Sequence, residues 1–133
     1  MKIITSFALL SLILISCGKY EKPFISFRSP EKRICQTWIH EKYLMYTETE
    51  HKLNESITFK IEGDDSIFIR TLDNVTYQGT WTWEHALKGK FDKERVRVSC
   101  VGYNKLLAIE VLTNKELEFI DESMDYRYFF KAK

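Results

Sequence analysis

From Ile57 onward, apolar and polar residues change places at nearly every step. Ile57, Phe59 and Ile61 stand against Thr58, Lys60 and Glu62, the period of a strand with one buried face. Gly63-Asp64-Asp65 supplies turn chemistry, and Ser66 to Thr71 returns as the second arm of a hairpin. The strongest alternation runs from Val75 to Glu84, with Val75, Tyr77, Gly79, Trp81 and Trp83 on one face and Thr76, Gln78, Thr80, Thr82 and Glu84 on the other. A polar loop around Gly89 follows, and then Arg95 to Tyr103 alternates again, with a turn predicted at Asn104-Lys105. Leu106–Leu112, Glu116–Asp121 and Asp125–Lys131 predict three further strands, separated by the polar stretches 113–115 and 122–124. With a strand through Trp38 the total is about eight. Short strands in sequence, with no helix long enough for a crossover, predict an all-β, antiparallel up-and-down meander. Such a meander closes into a small barrel that removes its own edges, and a two-sheet β-sandwich is the rival arrangement. Gly79, in mid-strand, marks a bend or bulge.

The first 16 residues are organised differently. Lys2 precedes the apolar run Ile3 to Ile15 and the small residue Ser16, the layout of a secretory signal. This run falls short of the roughly 20 apolar residues that span a bilayer. Leu14-Ile15-Ser16-Cys17 resembles the bacterial lipobox, which makes Cys17 the site of lipidation and residues 1–16 a signal peptide that is removed. Several acyl chains on one cysteine hold a soluble domain at a membrane almost permanently, since each buried methylene is worth about 0.8 kcal/mol. Residues 17–30, with Gly18, Pro23 and Pro30, form the lipidated N-terminus and tether, and 31–133 the single barrel domain. Ser29 and Pro30 suit the cap and first position of a short helix that gives way to strand by Trp38. Gly18 directly after the lipid site leans towards the outer membrane, with the domain facing the periplasm or the cell surface.

Charge narrows the partners. Processing would remove Lys2 from 20 basic residues and leave 19 against 19 acidic ones on 117 residues of the 133. This neutral balance and an export signal argue against nucleic acid. A lipidated Cys17 leaves two cysteines, Cys35 and Cys100, in a compartment that permits disulfides, and their pairing stays open. An extended strand through Trp38 puts Cys35 on the outer face while Cys100 shares a face with Val96 and Val98; a bulge or helical turn at Cys35 would change that. His40, His51 and His85 occupy separate segments, with no i, i+4 pair and no cysteine at metal spacing, and read as surface residues. Asp121, Glu122 and Asp125 lack the glycine and terminal glutamate of a calcium loop and read as a solvated turn. No metal or other cofactor is expected. The chain has no nucleophile elbow, no histidine placed to serve one and no recognisable carboxylate pair, so no enzyme is expected.

Several segments resemble those of the small lipocalin-like lipoproteins of the Bacteroidetes type. They are Gln36-Thr37-Trp38, the Ile57-Thr58-Phe59-Lys60 strand with its Gly63 turn, Gly79-Thr80-Trp81-Thr82-Trp83, the run from Leu112 to Phe119, and Tyr128-Phe129-Phe130-Lys131. Where that family carries a glycine two residues before its first tryptophan, this chain has Gln36. The resemblance implies a lipocalin-like barrel at an envelope address. The aromatic stripe Tyr77, Trp81 and Trp83 would then either line a pocket for a small apolar or amphipathic ligand or fill the barrel, since eight-stranded barrels do both. The large inward residues favour a mostly filled core. A binding module for such a ligand is the expected function, and the alternative is an inhibitor, immunity or accessory subunit that engages an envelope protein through the loops at 47–55 and 85–94. The anchor is directly testable: Cys17→Ser should move the protein out of the membrane fraction, and continued partition with membrane and detergent would show that Cys17 is not the attachment point.

Overall fold

The computed structural model describes residues 29–45, 49–84 and 93–133; the signal segment, Cys17, the tether up to residue 28 and His85 lie outside them. The described chain begins with a one-turn helix, α1 (Pro30–Ile34), started by Pro30 at its first position and by the Ser29 hydroxyl, which accepts a hydrogen bond from the Lys32 amide. Nine strands follow: β1 (Thr37–Leu44), β2 (Glu50–His51), β3 (Glu55–Glu62), β4 (Asp65–Leu72), β5 (Val75–Glu84), β6 (Arg95–Cys100), β7 (Tyr103–Leu112), β8 (Glu116–Asp121) and β9 (Tyr126–Ala132). Each sequential pair from β3 to β9 is antiparallel and neighbouring. β1 then pairs with β3 through Thr37–Ile39 and with β9 through Trp38–Leu44. Eight strands therefore close into one barrel and the sandwich is excluded. The two-residue β2 is an extra strand, set against Tyr43 and Leu44 of β1.

One end of this barrel, here the base, is sealed by α1. The Trp38 indole N–H donates to the Ile34 carbonyl at 2.9 Å, Arg33 Nη1 to the Leu112 carbonyl at 3.1 Å, and Gln36 Nε2 to the Asn114 carbonyl at 3.3 Å. Above this plug the base half of the interior is apolar and filled. Trp38, Phe59, Phe68 and Phe119 are fully buried, with Ile57, Val96, Val98, Leu107, Leu112 and Leu117 between them. Phe59 meets Trp81 edge-on at 5.5 Å and Phe68 at 5.2 Å, the offset geometries that aromatic rings prefer. The opposite end, the crown, carries the turns β4–β5, β6–β7 and β8–β9.

Turn chemistry fixes the register of the hairpins. Asp73 and Asn74 both take positive φ, 49° and 67°, as a two-residue hairpin turn requires. Gly63, at φ 62°, does the same between β3 and β4. One turn differs from the sequence expectation. The β6–β7 connection is made at Val101-Gly102, where Gly102 takes φ 71°, and not at Asn104-Lys105. Those two residues are part of β7, where Asn104 Oδ1 accepts from the Ser99 hydroxyl and Lys105 turns inward to Asp121. Bulges in β1 between His40 and Lys42, and in β7 between Ile109 and Val111, shift the alternation by one residue.

Gly79 is the tightest point of the wall. A Cβ there would lie 1.8 Å from the Ser99 carbonyl oxygen and 2.7 Å from Cys100 Cβ, so β5 bends against β6 where only glycine fits. Gly79→Ala should destabilise the barrel by about 3 kcal/mol, in the upper range for overpacking, measured as a drop in the urea midpoint; an unchanged midpoint would mean that the wall yields at this point.

Candidate functional site

Strand alternation places His40, Glu55, Arg70 and Asp121 inside the barrel, towards the crown, and Lys105 turns in to join them. His40 lies two residues beyond Trp38 on β1, Glu55 two before Ile57 on β3, and Arg70 two beyond Phe68 on β4, each sharing the face of its core neighbour. Asp121 lies two beyond Phe119 on β8. Arg70 Nε donates to Glu55 Oε2 at 2.5 Å, and the Arg70 guanidinium sits over the Tyr103 ring, 4.2 Å from its centroid, a stacking that suits arginine better than lysine. Lys105 Nζ reaches Asp121 Oδ2 at 2.9 Å, and Asp121 Oδ1 accepts from both the Ser123 amide and the Ser123 hydroxyl. Two cations thus offset two carboxylates inside the wall.

His40 is the exception to this pairing. Its side chain is 0% exposed, its ring meets Phe130 edge-on at 5.3 Å and Tyr43 at 6.0 Å, and neither ring nitrogen makes a hydrogen bond. Nδ1 lies 3.4 Å from Glu55 Oε1 without bonding to it. Burying polar atoms unsatisfied costs about 1–3 kcal/mol. Tyr103 and Tyr128, both buried, complete this polar cluster, the crown chamber, and neither hydroxyl is hydrogen-bonded to another described residue. The Tyr43 and His51 rings stack at 5.0 Å at the crown, with Tyr126 at 5.9 Å from Tyr43.

The residues singled out from the sequence are spread along the barrel. Trp81 is buried near the base and donates its indole N–H to the Lys60 carbonyl at 3.0 Å; Trp83 is half-buried and donates to Glu94 Oε2 at 2.8 Å; Tyr77 is half-buried, paired with Arg70 across the β4–β5 ladder. The stripe is one face, but its two indole donors are spent on the protein and only Tyr77 lies near the polar chamber. Cys35 and Cys100 are both free thiols. Cys35 ends α1 at the base and donates to the Glu31 carbonyl, while Cys100 closes β6 at the crown, so the fold sets the pair at opposite ends. Burial pushes both thiols up, with Glu31 adding to the effect at Cys35, which keeps them weak nucleophiles.

Two expectations need correction. His40 is a core residue and not a surface one, because strand parity carries it inward behind Trp38. Asp121 is likewise buried, at 1% exposure, and is held by Lys105 and Ser123 instead of solvent. His51 is half-buried against Tyr43. Glu55, expected from sequence at the end of the 47–55 loop, and Arg70 were not anticipated inside the barrel, although both keep step with Ile57 and Phe68. Among the described residues no three His, Cys, Asp or Glu side chains gather as a metal site. Comparison with protein-family models, curated proteins and solved structures finds no match to the chain.

The chamber gives the fold a pH profile with two limbs. Burial is the largest influence on Asp121 and pushes its carboxyl up, but hydrogen bonds from Ser123 and Lys105 and the Lys105 charge together outweigh it and hold the carboxyl below its ordinary value. A carboxyl lower in the folded than in the unfolded chain contributes stability above the unfolded value of about 3.9, and that stability is lost as pH falls through the folded value. Tyr103 and Tyr128 are pushed well above tyrosine's ordinary value, by burial first and by Glu55 and Asp121 respectively next. Their contribution is present below about pH 10 and lost as pH rises past it. In urea unfolding from pH 3 to 11, Asp121→Asn should flatten the acid limb and the Tyr103→Phe/Tyr128→Phe pair the alkaline limb; limbs that stay unchanged would remove these groups from the linkage.

Proposed function

We propose that this chain is a lipid-anchored lipoprotein of the bacterial envelope, held at the outer membrane through Cys17, whose lipocalin-like barrel binds a small amphipathic ligand in its crown half by non-covalent contacts and without a catalytic step. The observation that carries this reading is His40, buried with both ring nitrogens unpartnered inside a chamber of tyrosines and paired charges. A wall position that served packing alone would be cheaper with a phenylalanine, like Phe130 beside it. The aromatic packing of the base supports a short ligand, confined to the crown, and the strands give it a rigid frame. A ligand that meets polar groups at its inner end and tyrosine faces around it suits an amphipathic molecule better than a purely apolar one.

A second reading, an inhibitor, immunity or accessory subunit, draws on Val75, Val101 and Met124, exposed beside three turns of the same end. It expects a protein complex to survive purification and the barrel to come up empty. For the ligand reading, native mass spectrometry of the purified full-length chain should detect a bound small molecule or its uptake from an amphiphile panel. At about 100 times its Kd such a ligand adds about 2.7 kcal/mol and several degrees in Tm. Repeated absence of any adduct, with no thermal shift across the panel, would count against the proposal.

A further inference from the structure

We infer that the chamber selects a ligand with a carboxylate head, bound head inward against Arg70, Tyr103, Tyr128 and His40, with the tail directed towards Val75, Val101 and Met124 at the crown. The inference rests on the binding reading above and adds the chemistry of the ligand. It follows from which hydrogen-bonding groups the chamber leaves unspent. Both buried carboxylates are engaged, Glu55 by Arg70 and Asp121 by Lys105 and Ser123. Arg70 gives only Nε to Glu55, and its two terminal nitrogens make no hydrogen bond to another described residue. The Tyr103 and Tyr128 hydroxyls are also unspent, and burial keeps them protonated, hence donors. The free capacity is therefore mostly donors, which calls for an acceptor-rich head, and a planar carboxylate matches the edge of a stacked guanidinium.

Charge balance decides the fate of one proton. Arg70 and Lys105 already offset Glu55 and Asp121, so a bound anion would leave the chamber with one excess negative charge. His40 can supply the counter-charge: protonated, it presents Nδ1–H to Glu55 Oε1, already 3.4 Å away, and Nε2–H to the ligand. The titratable and charged groups of the chamber are Glu55 on β3, 3.4 Å from His40, Tyr43 on its own strand, 6.0 Å from it ring to ring, and Arg70 on β4, Cys100 on β6, Tyr103 and Lys105 on β7, Asp121 on β8 and Tyr128 on β9. Carboxylate binding then takes up one proton, so affinity rises as pH falls. The tail runs outward because the base half is already filled by Trp38, Phe59, Phe68 and Phe119. At the crown the turns carry Val101, 79% exposed, Val75 and Met124, an apolar rim at the end where a tail would emerge.

The test compares octanoate, octanol and octylamine by titration calorimetry with the purified full-length chain, in phosphate and in Tris so that buffer ionisation heat counts protons. Octanoate should bind at least tenfold more tightly than the other two, with uptake of about one proton. Tyr103→Phe and Tyr128→Phe remove hydroxyls that bond no other described residue, so each should keep the fold while weakening octanoate about tenfold, as for a hydrogen bond to a charged group. His40→Phe should abolish the proton uptake while leaving Tm equal or higher, since it removes the unsatisfied nitrogens; His40→Leu serves if phenylalanine overpacks. Equal binding of all three probes, preference for octylamine, or tyrosine variants that bind octanoate unchanged would overturn the carboxylate assignment and leave the chamber standing. No binding of any probe would overturn the chamber as well.

Discussion

A strand at the end of a sheet exposes a row of unpaired amides and carbonyls, and this fold depends on β1 meeting that demand from two sides. Its first residues pair with β3 and nearly its whole length with β9. That double engagement turns a meander into a tube and creates an interior for the alternating face to fill. Trp38 stands at the seam, fully buried, and its indole N–H ties the seam to α1 through the Ile34 carbonyl. One tryptophan thus couples the closure of the circumference to the closure of the base. The bulge after His40 lets the same strand bring Tyr43 inward at the crown, across from Tyr128.

The interior so formed has two halves of different chemistry. Near α1 it is filled in the manner of any small core, by rings and aliphatic side chains in van der Waals contact. Towards the crown the same inward positions hold Glu55, Arg70, Asp121, Lys105 and His40. Replacing a buried ion pair by apolar residues of similar volume is often neutral or stabilising, so such pairs are weak devices for stability alone. Here there are two, joined by a histidine that neither satisfies. Stacking of Arg70 on Tyr103 and the clasp of Ser123 on Asp121 hold these groups in fixed places, the condition for recognising a ligand by geometry.

The strands were legible because their period is two and their turns carry Gly63, Asp73-Asn74 and Gly102. The β6–β7 turn was misplaced because Asn104-Lys105 has turn composition, whereas Gly102, with its free access to positive φ, takes the reversal two residues earlier. Gly79 was readable as a bend, although the partner it approaches was not. The chamber escaped for a different reason. Composition assigns histidine, glutamate, arginine and aspartate to the surface, and that expectation overrode the parity that places His40 with Trp38, Glu55 with Ile57, Arg70 with Phe68 and Asp121 with Phe119. Lys105 was hidden further by the turn assigned to it. Tyr77, Trp81 and Trp83 were rightly assigned to one face, but which end of the barrel each served depends on the closure and on the helical plug, neither of which local pattern specifies.

The filled base also sets how rigidity is distributed along the barrel axis. Amides around Trp38, Phe59 and Phe119 lie among fully buried apolar side chains and are expected to open only when the whole domain unfolds, whereas the crown, with polar side chains and short turns, is expected to open locally at smaller free-energy cost. The molecule is a stiff cup with a compliant lip. On the binding reading proposed above, ligand exchange would be governed by the lip, on a timescale set apart from opening of the base, and the barrel would load and unload without loosening the seam that keeps it closed.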